Sequence, residues 1–270
     1  MSITFIGGGN MASAIIGGLI KRGQAAAALR VVEIDAAARA RLTQQYAVTT
    51  FERIDAAAVA ADCLVLAVKP QNLREVAAAL RPHVKAQLVI SIAAGIRGGD
   101  LARWLGGYAR IVRAMPNTPA LVGAGCTGIF AMSGVSGDDT ARAEAILGAV
   151  GTTLRVEREE LLDAITAVSG SGPAYVFYFI EALQAAALEL ELAPDAARRL
   201  ALGTFAGAVK LATESTEDVA TLRARVTSKG GTTAAALASM QQAAIKEAIV
   251  RAVKAADARA RELGDELGKD

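Results

Sequence analysis

Ser2-Ile3-Thr4-Phe5-Ile6-Gly7-Gly8-Gly9-Asn10-Met11-Ala12 is the stretch that decides the fold of this chain. An apolar run of strand length breaks at three glycines and continues as a helical pattern through Gly23. Strand, glycine turn and helix form the context that a dinucleotide-binding fingerprint requires, because a pyrophosphate rests on the free amides of the helix start. The pattern reads Gly7-x-Gly9-x-x-Ala12, with Asn10 and Met11 inside it. Gly7 permits the sharp turn, Gly9 lets the backbone approach a pyrophosphate, and Ala12 keeps the helix close to the strand. A purely structural turn is the competing reading, but it leaves the strand-to-helix placement unexplained.

Working outward, Leu29-Arg30-Val31-Val32-Glu33-Ile34 is a second strand that ends in acidic residues, some twenty residues beyond the glycines, where this fold places its ribose reader. Glu33 is expected to accept hydrogen bonds from an adenosine ribose 2′-hydroxyl and to repel a 2′-phosphate. Asp35 precedes an alanine-rich helix and is expected to cap it. Arg39 and Arg41 lie nearby, so NADPH and NADH both stay open as coenzymes. Cys63–Val68, Leu88–Ile92 and Arg110–Met115 are further apolar strands of the kind buried on both faces of a parallel sheet. They end at Lys69-Pro70-Gln71, Ala93-Ala94-Gly95 and Pro116-Asn117-Thr118-Pro119, on the edge where open α/β sheets bind ligands. Strands over 125–132 and 151–156 flank a helix at about 138–150.

After residue 160 the strand signal stops. Helical patterning runs from Leu161 to the end, broken at Ser169-Gly170-Ser171-Gly172-Pro173, Ala193-Pro194, Glu217-Asp218 and Gly230-Gly231. The reading is therefore an α/β domain over 1–160 and an all-α domain over 161–270. Phe177, Tyr178, Phe179 and Leu183 make one helix apolar over much of its surface, which calls for burial. A hundred or so residues of such helices form a thin core alone, so a second subunit is expected.

Composition narrows the chemistry. The 270 residues carry 29 Lys and Arg against 27 Asp and Glu, a net charge of +2 with both signs interspersed, so no electrostatic footprint for nucleic acid is present. No apolar run is long enough to span a membrane, nothing at the N-terminus resembles a signal peptide, and the expectation is a soluble cytoplasmic protein. The two cysteines, Cys63 and Cys126, make neither a disulfide framework nor a thiolate metal site. His83 is the sole histidine and sits in a polar turn, which removes histidine triads and histidine-ligated zinc. No metal is expected.

Within the helical part, Val226-Thr227-Ser228-Lys229-Gly230-Gly231-Thr232-Thr233 is polar or glycine at seven of eight positions and feeds another alanine-rich run. Such a loop leaves the first amides of a helix open to an anion. The plainer reading is a helix start capped by Thr227, Ser228 or Thr232.

These blocks together resemble the pyrroline-5-carboxylate reductases over essentially the whole length. The resemblance rests on Phe5–Ala12, Ala67–Gln71, Ser91–Gly95, Met115–Pro119, Ser169–Tyr175 and Val226–Thr233. The last two blocks in this order are the specific part. The family's loop commonly reads Ser-Pro-Gly-Gly, whereas here Lys229 takes the proline's place. The resemblance implies an N-terminal Rossmann-type domain and a C-terminal helical dimerisation domain. It also implies a homodimer that can build a decamer of five dimers, and a nicotinamide on one subunit meeting the glycine loop of its partner. Val68, Lys69 and Pro70 then correspond to the ribose side, and Ala93 and Ala94 to the nicotinamide side. Asn117 also falls among the coenzyme-side residues.

The substrate so implied is a cyclic imine bearing a carboxylate. Reduction needs hydride at the imine carbon and a proton on nitrogen, and the protein's main task is to orient two flat rings. The amides of Gly230, Gly231 and Thr232, with Ser228 beside them, are expected to hold the carboxylate. Thr233, in the first turn, is expected to hydrogen-bond the ring nitrogen as the catalytic residue. A β-hydroxyacid dehydrogenase would need a lysine followed one turn later by asparagine, but no asparagine follows Asn117, so Lys210 lacks that partner. A coenzyme sensor without turnover, or a reductase of the six-membered imine, would show its difference in an activity assay.

Overall fold

The computed structural model describes residues 1–269. The strands are β1 (Ile3–Ile6), β2 (Leu29–Val32), β3 (Thr49–Phe51), β4 (Cys63–Leu66), β5 (Leu88–Ser91), β6 (Ile111–Met115), β7 (Gly125–Ala131) and β8 (Gly151–Arg155). They form one eight-stranded sheet in the order β3-β2-β1-β4-β5-β6-β7-β8. Pairing is parallel from β3 through β6, antiparallel between β6 and β7, and parallel again between β7 and β8. The chain steps from β1 out through β2 to β3 and then returns to lay β4 on the other side of β1. That reversal opens a crevice at the carboxyl ends of β1 and β4.

The helices of the sheet unit are α1 (Asn10–Lys21), α2 (Ala36–Tyr46), α3 (Leu73–Leu80), α4 (Gly98–Trp104), α5 (Gly137–Leu147) and α6 (Leu161–Ile165). Successive strand residues face opposite layers. Phe5 and Val65 join Ile15, Ile16 and Leu42 in one core, while Ile6, Leu64 and Leu66 join Leu73 and Leu80 in the other. Because both faces of the sheet are covered, β1, β4 and β5 are buried at every position, as continuous apolar runs require.

The remaining helices are α7 (Gly172–Glu189), α8 (Pro194–Glu214), α9 (Val219–Arg225), α10 (Thr232–Gln242) and α11 (Ile245–Leu267). By contacts, Met1–Ser171 and the residues from Ala256 onward form one compact unit, and Gly172–Ala255 forms the other. The α/β class followed by helices agrees with the sequence reading. Two local features differ from it. β3 and α4 carry too few residues for a period to declare itself. Of the break expected over Ser169–Pro173, Ser169 and Gly170 end a π-turn over Thr166–Gly170, closed by Ser171 N–H donating to the Thr166 carbonyl at 2.8 Å, and Gly172 and Pro173 already open α7. A Cβ at Gly170 would lie 2.8 Å from Met115 Cε, so this turn sits directly on the end of β6. α7, whose apolar surface calls for cover by a second subunit, buries none of its residues within the single chain. No helix among the described residues is long and apolar enough to cross a membrane.

Candidate active site

The turn from β1 into α1 follows from its glycines. Gly7 has φ +100°, and a Cβ there would lie 2.7 Å from the Ala67 carbonyl oxygen, so the ends of β1 and β4 close up only on glycine. Gly9 caps α1 in extended backbone with no side-chain bond to the helix amides, and no acidic residue stands in the first turn. A Cβ on Gly9 would meet nothing within 4 Å. The helix therefore starts at Asn10 and Met11 with no side-chain cap on its amides and no acidic residue in its first turn, which fits a pyrophosphate. Ala12 is fully buried against the strand side, where a larger residue would push α1 away.

Glu33 follows β2 and turns its carboxylate onto the glycine loop. Its Oε2 accepts the Gly8 N–H at 2.8 Å and its Oε1 accepts the Asp35 N–H at 3.0 Å. Asp35 caps α2, accepting from the amides of Ala37 and Ala38 at 3.3 and 3.1 Å. Arg39 donates to the carbonyls of Glu33 and Ile34, each at 2.8 Å. After β4, Val68 packs beside Gly7, Lys69 is exposed, and Pro70 opens a short 3₁₀ turn. After β5, Ala93 is buried, its N–H donating to Ser91 Oγ at 3.4 Å, while Ala94 is half-buried. These residues line the carboxyl edge of the sheet.

Asn117 lies just past β6, and both ends of its amide are engaged. Nδ2 donates to Ser169 Oγ at 3.0 Å and to the Ser169 carbonyl at 3.2 Å, and Oδ1 accepts the Cys126 N–H at 2.9 Å. The side chain thus ties β6, β7 and the π-turn together. A second brace has no counterpart in the sequence reading. Arg113, buried in β6, donates to Glu159 Oε1 at 2.6 Å, and the same oxygen accepts the Gly98 N–H at 2.6 Å. This pins the start of α4 and, through it, the loop after β5. The available signal was a charged residue inside an apolar strand, since a buried cation demands a partner.

In the helical unit, Gly231 N–H donates to the Ser228 carbonyl at 3.1 Å and Gly230 has φ +74°, the pattern of a type II turn with Lys229 at its first central position. Gly231 caps α10 in extended backbone, with no side-chain cap and no acidic residue in the first turn. The expected capping side chains are therefore not caps: Thr227 Oγ1 donates backward to the Arg223 carbonyl at 2.6 Å, and Thr232 is already helical. The first amides of α10 stay open, with Thr233 half-buried behind exposed Thr232. Among the described residues, α1 and α10 thus both begin after a glycine with no side-chain cap and no acidic residue in the first turn, each suited to a separate anion.

A protein of Pseudomonas aeruginosa named pyrroline-5-carboxylate reductase is 43% identical over 268 residues, covering 99% of this chain and 98% of that one. The chain belongs to the pyrroline-5-carboxylate reductase family. The family model for pyrroline-5-carboxylate reductase dimerisation matches residues 159–263, and that for the coenzyme F420-dependent NADP oxidoreductases matches 2–95. A solved pyrroline-5-carboxylate reductase from Coxiella burnetii has a TM-score of 0.92 at 41% identity, covering 97% of this chain and 98% of that chain. The pyrroline carboxylate reductase of Plasmodium falciparum, solved with NADP bound, has a TM-score of 0.87 at 29% identity, covering 98% of each. Membership accounts for the helical part: a dimerisation segment is where Phe177 and Tyr178 can be 66% and 71% exposed in one chain.

Proposed function

We propose that this chain reduces Δ1-pyrroline-5-carboxylate to L-proline with NAD(P)H, the last step of proline biosynthesis. The observation that carries the reading is the uncapped start of α10 at Gly230-Gly231-Thr232, in a chain whose other glycine-capped helix start belongs to a dinucleotide fold. The coenzyme, when bound, supplies the hydride. Gly7, Gly9, Asn10 and Met11 hold its pyrophosphate, Glu33 its adenosine ribose, and Val68, Lys69, Pro70, Ala93 and Ala94 its nicotinamide half, with Asn117 fixing the loop beside them. The amides of Gly230, Gly231 and Thr232, with Ser228 alongside, bind the imino acid's carboxylate, each bond to that charged group contributing about 1.5–3 kcal/mol. The carboxylate then fixes the ring, the Thr233 hydroxyl oxygen accepts the N–H of the protonated iminium, and once hydride has turned that nitrogen into a neutral amine the hydroxyl relays to it the proton it takes up from solvent. No histidine is required, because a protonated iminium already accepts hydride readily. Holding two rings in register supplies the larger share of the acceleration.

The functional division runs at 160/161, supported by the family model that begins at 159, although the compact sheet unit also takes in 161–171 and the end of α11. Homodimers, and decamers of five dimers built from them, are the assembly. Two free cysteines, one of them buried Cys63 with its thiol pushed up to about 11 by burial, suit a reducing cytoplasm. Oxidation of NADPH or NADH that depends on pyrroline-5-carboxylate, followed at the coenzyme absorbance, tests the reaction. Coenzyme binding without such turnover would overturn it.

A further inference from the structure

The end of β2 also bears on which coenzyme this chain selects, an inference that rests on the reading above only in taking the glycine loop as the coenzyme site. Each oxygen of the Glu33 carboxylate has two lone-pair directions. One on each is used, by Gly8 N–H at 2.8 Å and Asp35 N–H at 3.0 Å. The pair of backbone donors fixes the carboxylate beside the fingerprint, and the remaining lone pairs suit two adjacent ribose hydroxyls. A 2′-phosphate would bring about −1.5 to −2 charges against the same group.

The surroundings do not compensate. A cavity of about 470 Å³ next to Glu33 is lined by Ile34, Phe51, Glu52, Arg53 and Asp55, so two carboxylates face a single guanidinium there. Arg39, a second cation near Glu33, has one nitrogen held by the carbonyls of Glu33 and Ile34, and another 3.9 Å from Glu52. Redirecting its planar fork to a phosphate would strand those two carbonyls. Arg41 lies on the exposed side of α2.

We propose that Glu33 is a specificity-determining residue, which makes this chain prefer a coenzyme with a free adenosine 2′-hydroxyl, NADH, over NADPH. Fluorescence titration of the full chain is expected to give a Kd for NADH at least about tenfold below that for NADPH, a gap that narrows as salt screens the repulsion. The fragments 5′-AMP and 2′,5′-ADP, used as competitors of bound NADH, isolate the same ribose position without any variant, and 5′-AMP should compete better. Glu33→Gln keeps an acceptor for Gly8 and removes the charge, so NADPH should bind more tightly and the ratio should move toward one. Equal or tighter NADPH binding by the unaltered chain, better competition by 2′,5′-ADP, or an unchanged ratio in a folded Glu33→Gln variant would each overturn the proposal. Tighter NADH binding with no turnover of pyrroline-5-carboxylate would instead leave it standing and remove the proposed reaction.

Discussion

Thr233 stands one residue inside a helix whose first amides no side chain occupies. Its side chain lies in the first turn behind those amides, which is why the proposed reaction assigns its hydroxyl to the ring nitrogen. Thr233→Ala is expected to lower kcat/KM well beyond tenfold, within the range removal of a positioned proton donor gives. Thr233→Ser, which keeps the hydroxyl, should recover most of it. Near-normal turnover by the alanine variant would take Thr233 out of the mechanism. Lys229 poses a separate question in the same loop. It occupies the first central position of a type II turn, where a proline's fixed φ is already suited. Lys229→Pro should stabilise the fold by about 0.4–1 kcal/mol in urea denaturation by restricting the unfolded chain, while kcat/KM stays as it was. At this scale the sequence was partly legible. Asp35 reads as a cap and is one, because capping depends on three consecutive residues. The bonds from Glu33 to Gly8 and from Asn117 to Ser169 join residues far apart in the chain, and residue type alone could not supply those partners.

Among the elements, α1 shows how packing outweighs propensity. Alanine is favoured over glycine in a helix interior by about 1 kcal/mol. At Gly18, however, a Cβ would lie 2.6 Å from the Ala149 carbonyl oxygen and 2.8 Å from Val150 Cγ1, so a backbone atom would have to move. Overpacking of that kind costs about 1–3 kcal/mol, so Gly18→Ala should be net destabilising in urea denaturation. Gly17→Ala should cost less, since a Cβ there meets the Tyr46 ring at 3.2 Å and a side chain can yield. A charged staple joins the start of β6 to α5. Arg110 forks onto Asp139, Nε to Oδ2 and Nη2 to Oδ1, both at 2.7 Å, and the fork holds the Asp139 carboxyl below the usual range. With the folded pKa below the unfolded one, the stabilisation is fully present above an unfolded value of about 3.9 and is lost as pH falls through the folded value. Asp139→Asn should therefore cost about 1–3 kcal/mol near neutrality, and urea midpoints of the two proteins should converge in strong acid. Buried Asp163 runs the other way: burial raises its carboxyl pKa despite Arg97 at 3.7 Å, so protonation there relieves the fold. The long parallel strands were legible because burial on both faces makes them continuous apolar runs. β3 and α4 were not, because three and seven residues show no period.

For the whole molecule, the decisive quantity is how little the helical unit buries by itself. α7, α9 and α10 bury no residue, and α8 buries only Ala197 and Ala201. Leu190 is 76% exposed and Val209 62%, alongside Phe177 and Tyr178. The sequence marked Phe177 and Tyr178, with Phe179 and Leu183, as requiring burial and Leu190 and Val209 not at all, but an apolar helix surface cannot tell whether the cover comes from the same chain or from another. The dimerisation segment at 159–263 answers that question. A unit with so small a core of its own draws its stability from the partner, so folding and association are linked. Thermal unfolding should then depend on protein concentration, because each tenfold dilution removes about 1.4 kcal/mol from a dimer. Tyr178→Glu places a charge on this uncovered surface, where a dimer would bury it unpaired. Light scattering is expected to report two or more chains for the unaltered protein and one for the variant, with pyrroline-5-carboxylate turnover lost in parallel. If the unaltered chain ran at single-chain mass with full turnover and a concentration-independent Tm, the helical unit would be stable alone, and the proposed dependence of catalysis on a partner would fail.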